Sequence, residues 1–133
     1  MKLLCGDFVF FAYLNPVKQQ IPILPDIVND NLDKLYGLCK EYKILRLWLF
    51  GSVIRDDFRK DSDVDVLYEF DDNQIPETLY LKHFWGMWDG LEALWNRKVD
   101  FVHYPDLRNP YFKAEVDASK VLIYDAEREK VSI

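Results

Sequence analysis

The sequence predicts an α/β (α+β) domain in which helices flank a small mixed β-sheet. Short apolar runs typical of strands alternate with longer segments whose apolar residues recur at steps of three and four, which is typical of amphipathic helices. The predicted order is helix, strand, strand, helix, strand, helix and strand. A length of 133 residues, of which 50% are hydrophobic, is enough for one compact domain with a buried core.

The first 24 residues are predicted to be an apolar extension and a proline-containing linker, followed by a single domain at residues 25–133. The apolar run at residues 8–14 is too short to cross a bilayer, and Asp7 interrupts a possible signal core. We therefore expect a cytoplasmic protein that does not enter a membrane. The run itself could be an extra strand, an oligomer contact or a leader from an early start codon.

Charge and cysteine usage narrow the class of protein further. The net charge of −6 argues against a broad surface for DNA or RNA, because nucleic acids bind basic faces. A nucleotide remains possible, since a few local donors and metal ions can hold a triphosphate. Cys5 and Cys39 form neither a C-x-x-C motif nor a repeated spacing, so a reduced cytoplasmic protein is the simplest interpretation.

The first predicted helix covers residues 26–42, with Pro25 suited to its first turn. A buried strand is predicted at residues 44–50, and after a polar loop a second strand follows at residues 63–70. The short link makes these two strands neighbours in the sheet. The remaining elements are predicted as a helix at 77–95, a strand at 98–104, a helix at 109–118 and a strand at 121–124.

Helical spacing in the second predicted helix divides its apolar residues into two groups. The predicted buried face consists of Leu81, Phe84, Trp88, Leu91 and Trp95. Trp85 falls off this face, and together with Met87 it is predicted to form an exposed patch for a protein partner. His83 and His103 have no neighbour at metal-binding spacing, so structural or solvent-exposed roles are expected for both.

Two carboxylates, Asp63 and Asp65, alternate with valines at the start of the second strand. Side chains alternate across a strand, so both acids lie on one face. Like charges about 4 Å apart repel by about 4 kcal/mol at an effective dielectric constant near 20. Either water screens this pair or a hard divalent cation binds to it, because such ions prefer oxygen ligands.

Further candidate residues flank this acidic pair. Gly51 and Ser52 end the preceding strand ten residues before Asp63. Glycine lets the backbone approach a bulky anion, and a serine hydroxyl can donate to a phosphate oxygen. Arg55 in the intervening loop offers a cation for phosphate, although it could equally be a solvated loop charge. Asp100, on the third strand, becomes a third ligand or a base if its strand lies beside the acidic pair.

This pattern resembles the signature of the polymerase-beta-like nucleotidyltransferase superfamily. That signature consists of Gly-Ser, ten residues and Asp-x-Asp, with a later Asp on a following strand. The stretch from Gly51 to Asp65 is most similar to the minimal nucleotidyltransferases (MNT), which are often antitoxins paired with HEPN-domain toxins. The match covers residues 44–70 and 98–102, and the element order extends it to residues 26–125. The resemblance implies a nucleotidyltransferase fold.

The resemblance also implies an activity, which is Mg²⁺-dependent transfer of AMP from ATP to a hydroxyl. Asp63 and Asp65 would ligate the metal, with two ions expected, and Asp100 would complete one metal site and help to deprotonate the acceptor. Gly51 and Ser52 would hold the β- and γ-phosphates, and Arg55 stands where the family usually has a basic residue. The implied acceptor is a tyrosine of a HEPN-type RNase toxin, in a type VII toxin–antitoxin pair that forms a hetero-oligomer without binding nucleic acid directly.

Two positions depart from the family pattern, and two other functions stay open. Val53 replaces a residue that is often basic or polar, and Asp56 stands where glycine is common, which places the rate and the acceptor in question. The protein could instead be a catalytically weak antitoxin that neutralises its partner by contact alone. It could also be a nucleotidyltransferase that modifies a small molecule, although the chain is short for that role.

Overall fold

A computed structural model describes residues 24–55 and 57–131 of the chain. The predicted N-terminal extension therefore lies almost entirely outside the described residues, and so does Asp56. No helix in the described part is long and apolar enough to cross a membrane. The cytoplasmic location expected from the sequence stays a prediction.

The described chain contains five α-helices and four strands, joined in part by short 3-10 turns. The helices are α1 (Asp26–Asn29), α2 (Leu32–Glu41), α3 (Tyr80–Trp95), α4 (Pro110–Ser119) and α5 (Ala126–Val131). The strands are β1 (Ile44–Phe50), β2 (Val64–Phe70), β3 (Val99–His103) and β4 (Val121–Asp125). The predicted order is confirmed from β1 to β4, and each predicted strand lies within one or two residues of its observed position, whereas the C-terminal helix α5 is an element that the sequence did not predict.

The four strands form one mixed sheet in the order β3-β2-β1-β4. β1 runs antiparallel to both of its neighbours, whereas β2 and β3 are parallel. The parallel pair is possible because α3 returns the chain from the end of β2 to the start of β3. This topology places the two acid-bearing strands next to each other.

The two faces of the sheet carry different layers. One face joins a large core beneath α2 and α3, in which Leu35, Leu47, Leu91 and Trp95 are at most 1% exposed. The opposite face carries a smaller cluster against α4, made of Trp48, Phe50, Leu67, Val116 and Leu122. Burial of apolar area in the larger core is the main source of stability. The face with the smaller cluster can therefore also carry polar groups.

The first predicted helix is wrong as a single element, because the chain forms two helices interrupted at Asp30 and Asn31. The backbone of Asn31 leaves the helical region, with φ −119° and ψ 17°. Its side-chain amide donates to the carbonyl of Ile27 at 2.8 Å. Asparagine competes with the helical backbone for such bonds, so it ends α1 and begins α2.

The predicted faces of α3 are wrong at two positions. Met87 is fully buried rather than part of an exposed patch, and Leu81 is 66% exposed rather than in the core. Met87 follows Phe84 by three residues and precedes Leu91 by four, so it shares their face. Trp85 is 53% exposed, as predicted.

Packing of α3 against the end of α2 depends on a glycine. A Cβ atom at Gly86 would overlap the ring of Tyr42, whereas a Cβ at Gly37 would meet nothing within 4 Å. We expect Gly86→Ala to lower the free energy of unfolding by about 1–3 kcal/mol, because the ring must move out of a packed position.

The matched control, Gly37→Ala on the exposed face of α2, should raise the free energy of unfolding by about 0.5–1 kcal/mol. Urea denaturation of the two variants measures both effects. Equal shifts of the same sign would contradict the observed contact between α3 and Tyr42.

Candidate active site

The end of β1 forms a tight turn against the second strand. Phe50 is the register partner of Asp65, and the next four residues, Gly51–Ile54, form a 3-10 turn. Gly51 has φ +74°, a conformation that glycine adopts without strain. A Cβ at this position would overlap the carboxylate oxygen Oδ2 of Asp65. The Gly-Ser turn therefore lies directly against this acid, and no other residue type fits there.

Asp65 and Asp100 are direct register partners in the parallel β2–β3 pair. Both lie between residues of the large core: Val64 and Val66 flank Asp65, and Val99 and Phe101 flank Asp100. Because side chains alternate along a strand, both acids lie on the opposite face of the sheet, the one that carries the smaller cluster. The structure thus brings together two acids that are 35 residues apart in sequence.

The pKa of Asp65 is raised in part by the two other acids. Partial burial, the charge of Asp100 and a hydrogen bond with Asp100 together raise the pKa of Asp65 to about 6. The charge of Asp63 raises this pKa as well, so both other acids act on Asp65. The positive charge of Arg55 partly opposes them by lowering the pKa. Ionised Asp65 is destabilised without a cation beside it.

This donor set suits a hard divalent cation by its chemistry, since it offers carboxylate oxygens that repel each other when ionised. Within the described ranges, no three His, Cys, Asp or Glu side chains are arranged closely enough to hold an ion as a group. Mg²⁺ is usually held by one or two carboxylates together with substrate phosphates and water, rather than by a full protein cage. The Asp65–Asp100 pair, with Asp63 nearby, fits that mode of binding.

Arg55 forms an ion pair with Asp57 in the same loop. Its guanidinium pairs with the carboxylate of Asp57 at 3.2 Å and 3.3 Å, and both side chains are more than half exposed. This bond, together with the nearby charge of Arg55, lowers the pKa of Asp57. Exposed ion pairs of this kind are weak, so an incoming phosphate can compete for the arginine.

Val53 follows the Gly-Ser turn and is 1% exposed within the large core. Its departure from the family pattern is therefore an apolar contact that anchors the turn rather than a lost surface charge. His83 is bonded to the carbonyl of Leu79 at 3.0 Å, and His103 is bonded to Asp106 at 3.0 Å. Neither histidine contributes to the acidic cluster by these contacts.

Sequence reasoning missed the residues of α3 that hold the start of β3. The indole nitrogen of Trp88 donates to the carbonyl of Val99 at 2.9 Å, and the carboxylate of Glu92 accepts from the amide of the same residue at 2.9 Å. Both bonds fix the strand one residue before Asp100. The four-residue spacing of Trp88 and Glu92 shows that they share a helix face, but nothing in the sequence identifies their common target.

Comparison with known proteins gives the same family for most of the chain. Residues 33–129 match the family described as "Polymerase beta, Nucleotidyltransferase". The "Putative protein adenylyltransferase MJ0128" of Methanocaldococcus jannaschii is 34% identical over 97 residues, which cover 72% of this chain and 94% of that protein.

Two solved structures share the fold. A "putative minimal nucleotidyltransferase" superposes with a TM-score of 0.57 at 26% identity, over 71% of this chain and 90% of the other. A complex of a tri-AMPylated Shewanella oneidensis HEPN toxin with an MNT antitoxin matches with a TM-score of 0.50 at 17% identity, over 77% of this chain and 76% of the matched chain. The chain therefore belongs to the polymerase beta nucleotidyltransferase family, as the acid pattern and the Gly-Ser turn predicted, and it is a nucleotidyltransferase with the minimal fold of that family.

Proposed function

We propose that the protein transfers AMP from ATP, with Mg²⁺, to a hydroxyl of a HEPN-type toxin, for which it serves as the antitoxin. The observation that carries this proposal is the register pairing of Asp65 with Asp100, opposite a glycine turn that only a residue without a side chain can form. Such a site combines paired oxygen ligands with an open backbone, which are the two requirements for a metal-bound triphosphate.

Asp65 and Asp100 would hold the metal, with Asp63 as a further ligand. Mg²⁺ held by these acids would supply positive charge that offsets the charge developing on the phosphate oxygens. The raised pKa of Asp65 supports this assignment, because a cation would relieve the repulsion that now favours its protonated form. Asp65 is partly exposed and Asp100 is exposed, so phosphate and water can complete the shell around the ion.

The residues of the turn would bind and orient the nucleotide. The Gly51 backbone would approach the β- and γ-phosphates, the Ser52 hydroxyl would donate to a phosphate oxygen, and Arg55 would move from Asp57 to the triphosphate. In the reaction the acceptor oxygen bonds to the α-phosphorus, and the bond between that phosphorus and the bridging oxygen breaks. Pyrophosphate leaves with that electron pair, and Asp100 receives the hydroxyl proton.

The acceptor proposed for this chemistry is a tyrosine hydroxyl on the toxin. The similarity to the Methanocaldococcus jannaschii protein supports transfer to a protein, and the fold shared with the Shewanella oneidensis complex supports a HEPN partner. Such a pair would be of type VII and would form a hetero-oligomer. Two alternatives give different experimental results: neutralisation of the toxin by contact alone, and modification of a small molecule.

Removal of either paired acid should abolish transfer. We expect Asp65→Asn and Asp100→Asn each to reduce label transfer from α-labelled ATP to the toxin encoded by the neighbouring gene by about 10²–10⁴-fold. Asp33→Asn, which changes an exposed acid on α2, is the matched control and should keep full activity.

In cells, the double variant Asp63→Ala, Asp65→Ala should lose protection against the toxin. Continued protection together with unchanged toxin binding would favour neutralisation by contact alone. Turnover on small hydroxylated compounds in the absence of any protein partner would favour the small-molecule alternative.

Gly51→Ala should test whether the turn binds the nucleotide. The new methyl group would overlap Asp65 at a positive φ, so we expect the affinity for a non-hydrolysable ATP analogue with Mg²⁺ to fall at least about tenfold. Isothermal titration calorimetry measures this loss, with Gly37→Ala as the control for loss of a glycine. Wild-type affinity in Gly51→Ala would exclude the turn as the phosphate site.

The raised pKa of Asp65 predicts a pH-dependent stability of the metal-free protein. Below pH 4 the group is protonated in both folded and unfolded states, and between pH 4 and about 6 the folded state binds more protons. Asp65 therefore lowers the free energy of unfolding increasingly as the pH rises from 4 to about 6. Above about pH 6 this loss of stability no longer changes with pH.

Asp65→Asn should consequently raise the melting temperature in EDTA by a few degrees at pH 7.5 and by much less at pH 4.5. Addition of Mg²⁺ at pH 7.5 should stabilise the wild type more than the variant. Thermal unfolding at both pH values checks this, and a shift that does not change with pH would show that ionised Asp65 carries no such cost.

A further inference from the structure

Asp63 differs from the other two acids in that strand pairing does not hold it. The register pairs of β2 end at Asp65 on the β1 side and at Val64 on the β3 side. The last sheet-like bond near this end joins the amide of Val64 to the carbonyl of Lys98 at 3.0 Å. Asp63 therefore sits at the end of the loop, and its position depends on whatever fixes the peptide group before it.

Arg97 contacts that peptide group. One nitrogen of its guanidinium, Nη1, donates to the carbonyl of Ser62 at 3.0 Å and to the carbonyl of Arg59 at 2.6 Å. The carbonyl of Ser62 belongs to the peptide bond that carries the amide of Asp63. The guanidinium also lies over the ring of Phe58, 4.4 Å from the ring centroid.

Two further hydrogen bonds of this loop are local. The amide of Ser62 donates to the carbonyl of Arg59 at 3.1 Å, and the amide of Arg59 donates to the hydroxyl of Ser62 at 2.9 Å. These bonds shape the turn but do not attach it to the domain. Two contacts attach it: Phe58 packs against the large core, and Arg97, from a different part of the chain, bonds to two carbonyls of the turn and stacks on Phe58.

The end of α3 explains why Arg97 is available for this contact. Asn96 adopts a left-handed conformation, with φ 51°, and its amide caps the carbonyl of Glu92. The chain reverses there, so Arg97 leaves the helix toward the loop while the Glu92 carboxylate accepts from the amide of Val99 at 2.9 Å. One helix end thus contacts the chain just before Asp63 and just before Asp100.

We propose that Arg97 is a positioning residue, which holds the peptide before Asp63 so that this acid meets the Asp65–Asp100 pair. It acts through Asp63 and touches neither nucleotide nor acceptor. The part of the inference that concerns the rate rests on the proposed nucleotidyl transfer and the part that concerns metal affinity rests on the proposed metal site, whereas the part that concerns loop order rests on neither.

Arg97→Met keeps the length and the apolar stem of the side chain but removes its donors. We expect faster amide hydrogen exchange in residues 57–63 of the metal-free protein and unchanged exchange in β1. We also expect the affinity for Mn²⁺, measured by titration calorimetry with a non-hydrolysable ATP analogue, to fall about tenfold, as for other residues that orient metal ligands. Arg97→Lys retains a donor and should recover part of both effects.

The control Lys34→Met removes one positive charge from the exposed face of α2 and should change neither measurement. In AMP transfer, Arg97→Met should lower kcat more than it raises KM for ATP. If transfer is absent from the wild type while exchange and Mn²⁺ affinity respond as expected, the proposed function fails and the positioning role stands.

A double-mutant cycle with Asp63→Asn provides the decisive measurement. If Arg97 acts through Asp63, the loss of Mn²⁺ affinity on Arg97→Met should shrink from about tenfold to under about twofold in the Asp63→Asn protein. The same tenfold loss in both backgrounds would overturn the proposal, since it would show that Arg97 acts on the site by another route. Unchanged exchange in residues 57–63 would overturn it as well.

Discussion

The repulsion between Asp65 and Asp100 is the constraint on which the rest of the site depends. The two acids are held as register partners by strands with a core beneath them, so neither can move away without breaking the sheet. Burial, the charge of Asp100 and a hydrogen bond with Asp100 together raise the pKa of Asp65 to about 6, so the ionised form of Asp65 is disfavoured. The fold tolerates this cost because the opposite face buries most of the apolar area, and a bound cation would turn the cost into binding affinity.

A second constraint is steric and comes from the neighbouring strand. The antiparallel register of β1 and β2 brings residue 51 against the carboxylate of Asp65, where only a glycine fits. The absence of a side chain at residue 51 is what lets this turn lie directly against the carboxylate. The apolar anchor for this turn is Val53, which extends from the same 3-10 segment into the core.

The end of α3 connects the core to the acids. Trp88 and Glu92 bind both main-chain groups of Val99, and Arg97 binds the loop before Asp63. The bonds from Trp88 and Glu92 also pair the main-chain groups of Val99, which would otherwise be unpaired on the outer edge of β3, the last strand on its side of the sheet. Edge protection and placement of the acids are thus performed by the same side chains.

Local periodicity and spacing along the chain were enough to predict the four strands and to single out the three acids and the glycine turn as a candidate site, because these features depend on neighbouring residues in the sequence. They did not determine the break at Asn31, the burial of Met87 or the roles of Trp88, Glu92 and Arg97. The side-chain bond of Asn31 competes with helical periodicity, and three- and four-residue steps leave the edge of a helix face undefined. The pairing of Asp100 with Asp65 could be read only from the arrangement of the sheet, since a parallel crossover through α3 sets a register that no local pattern encodes.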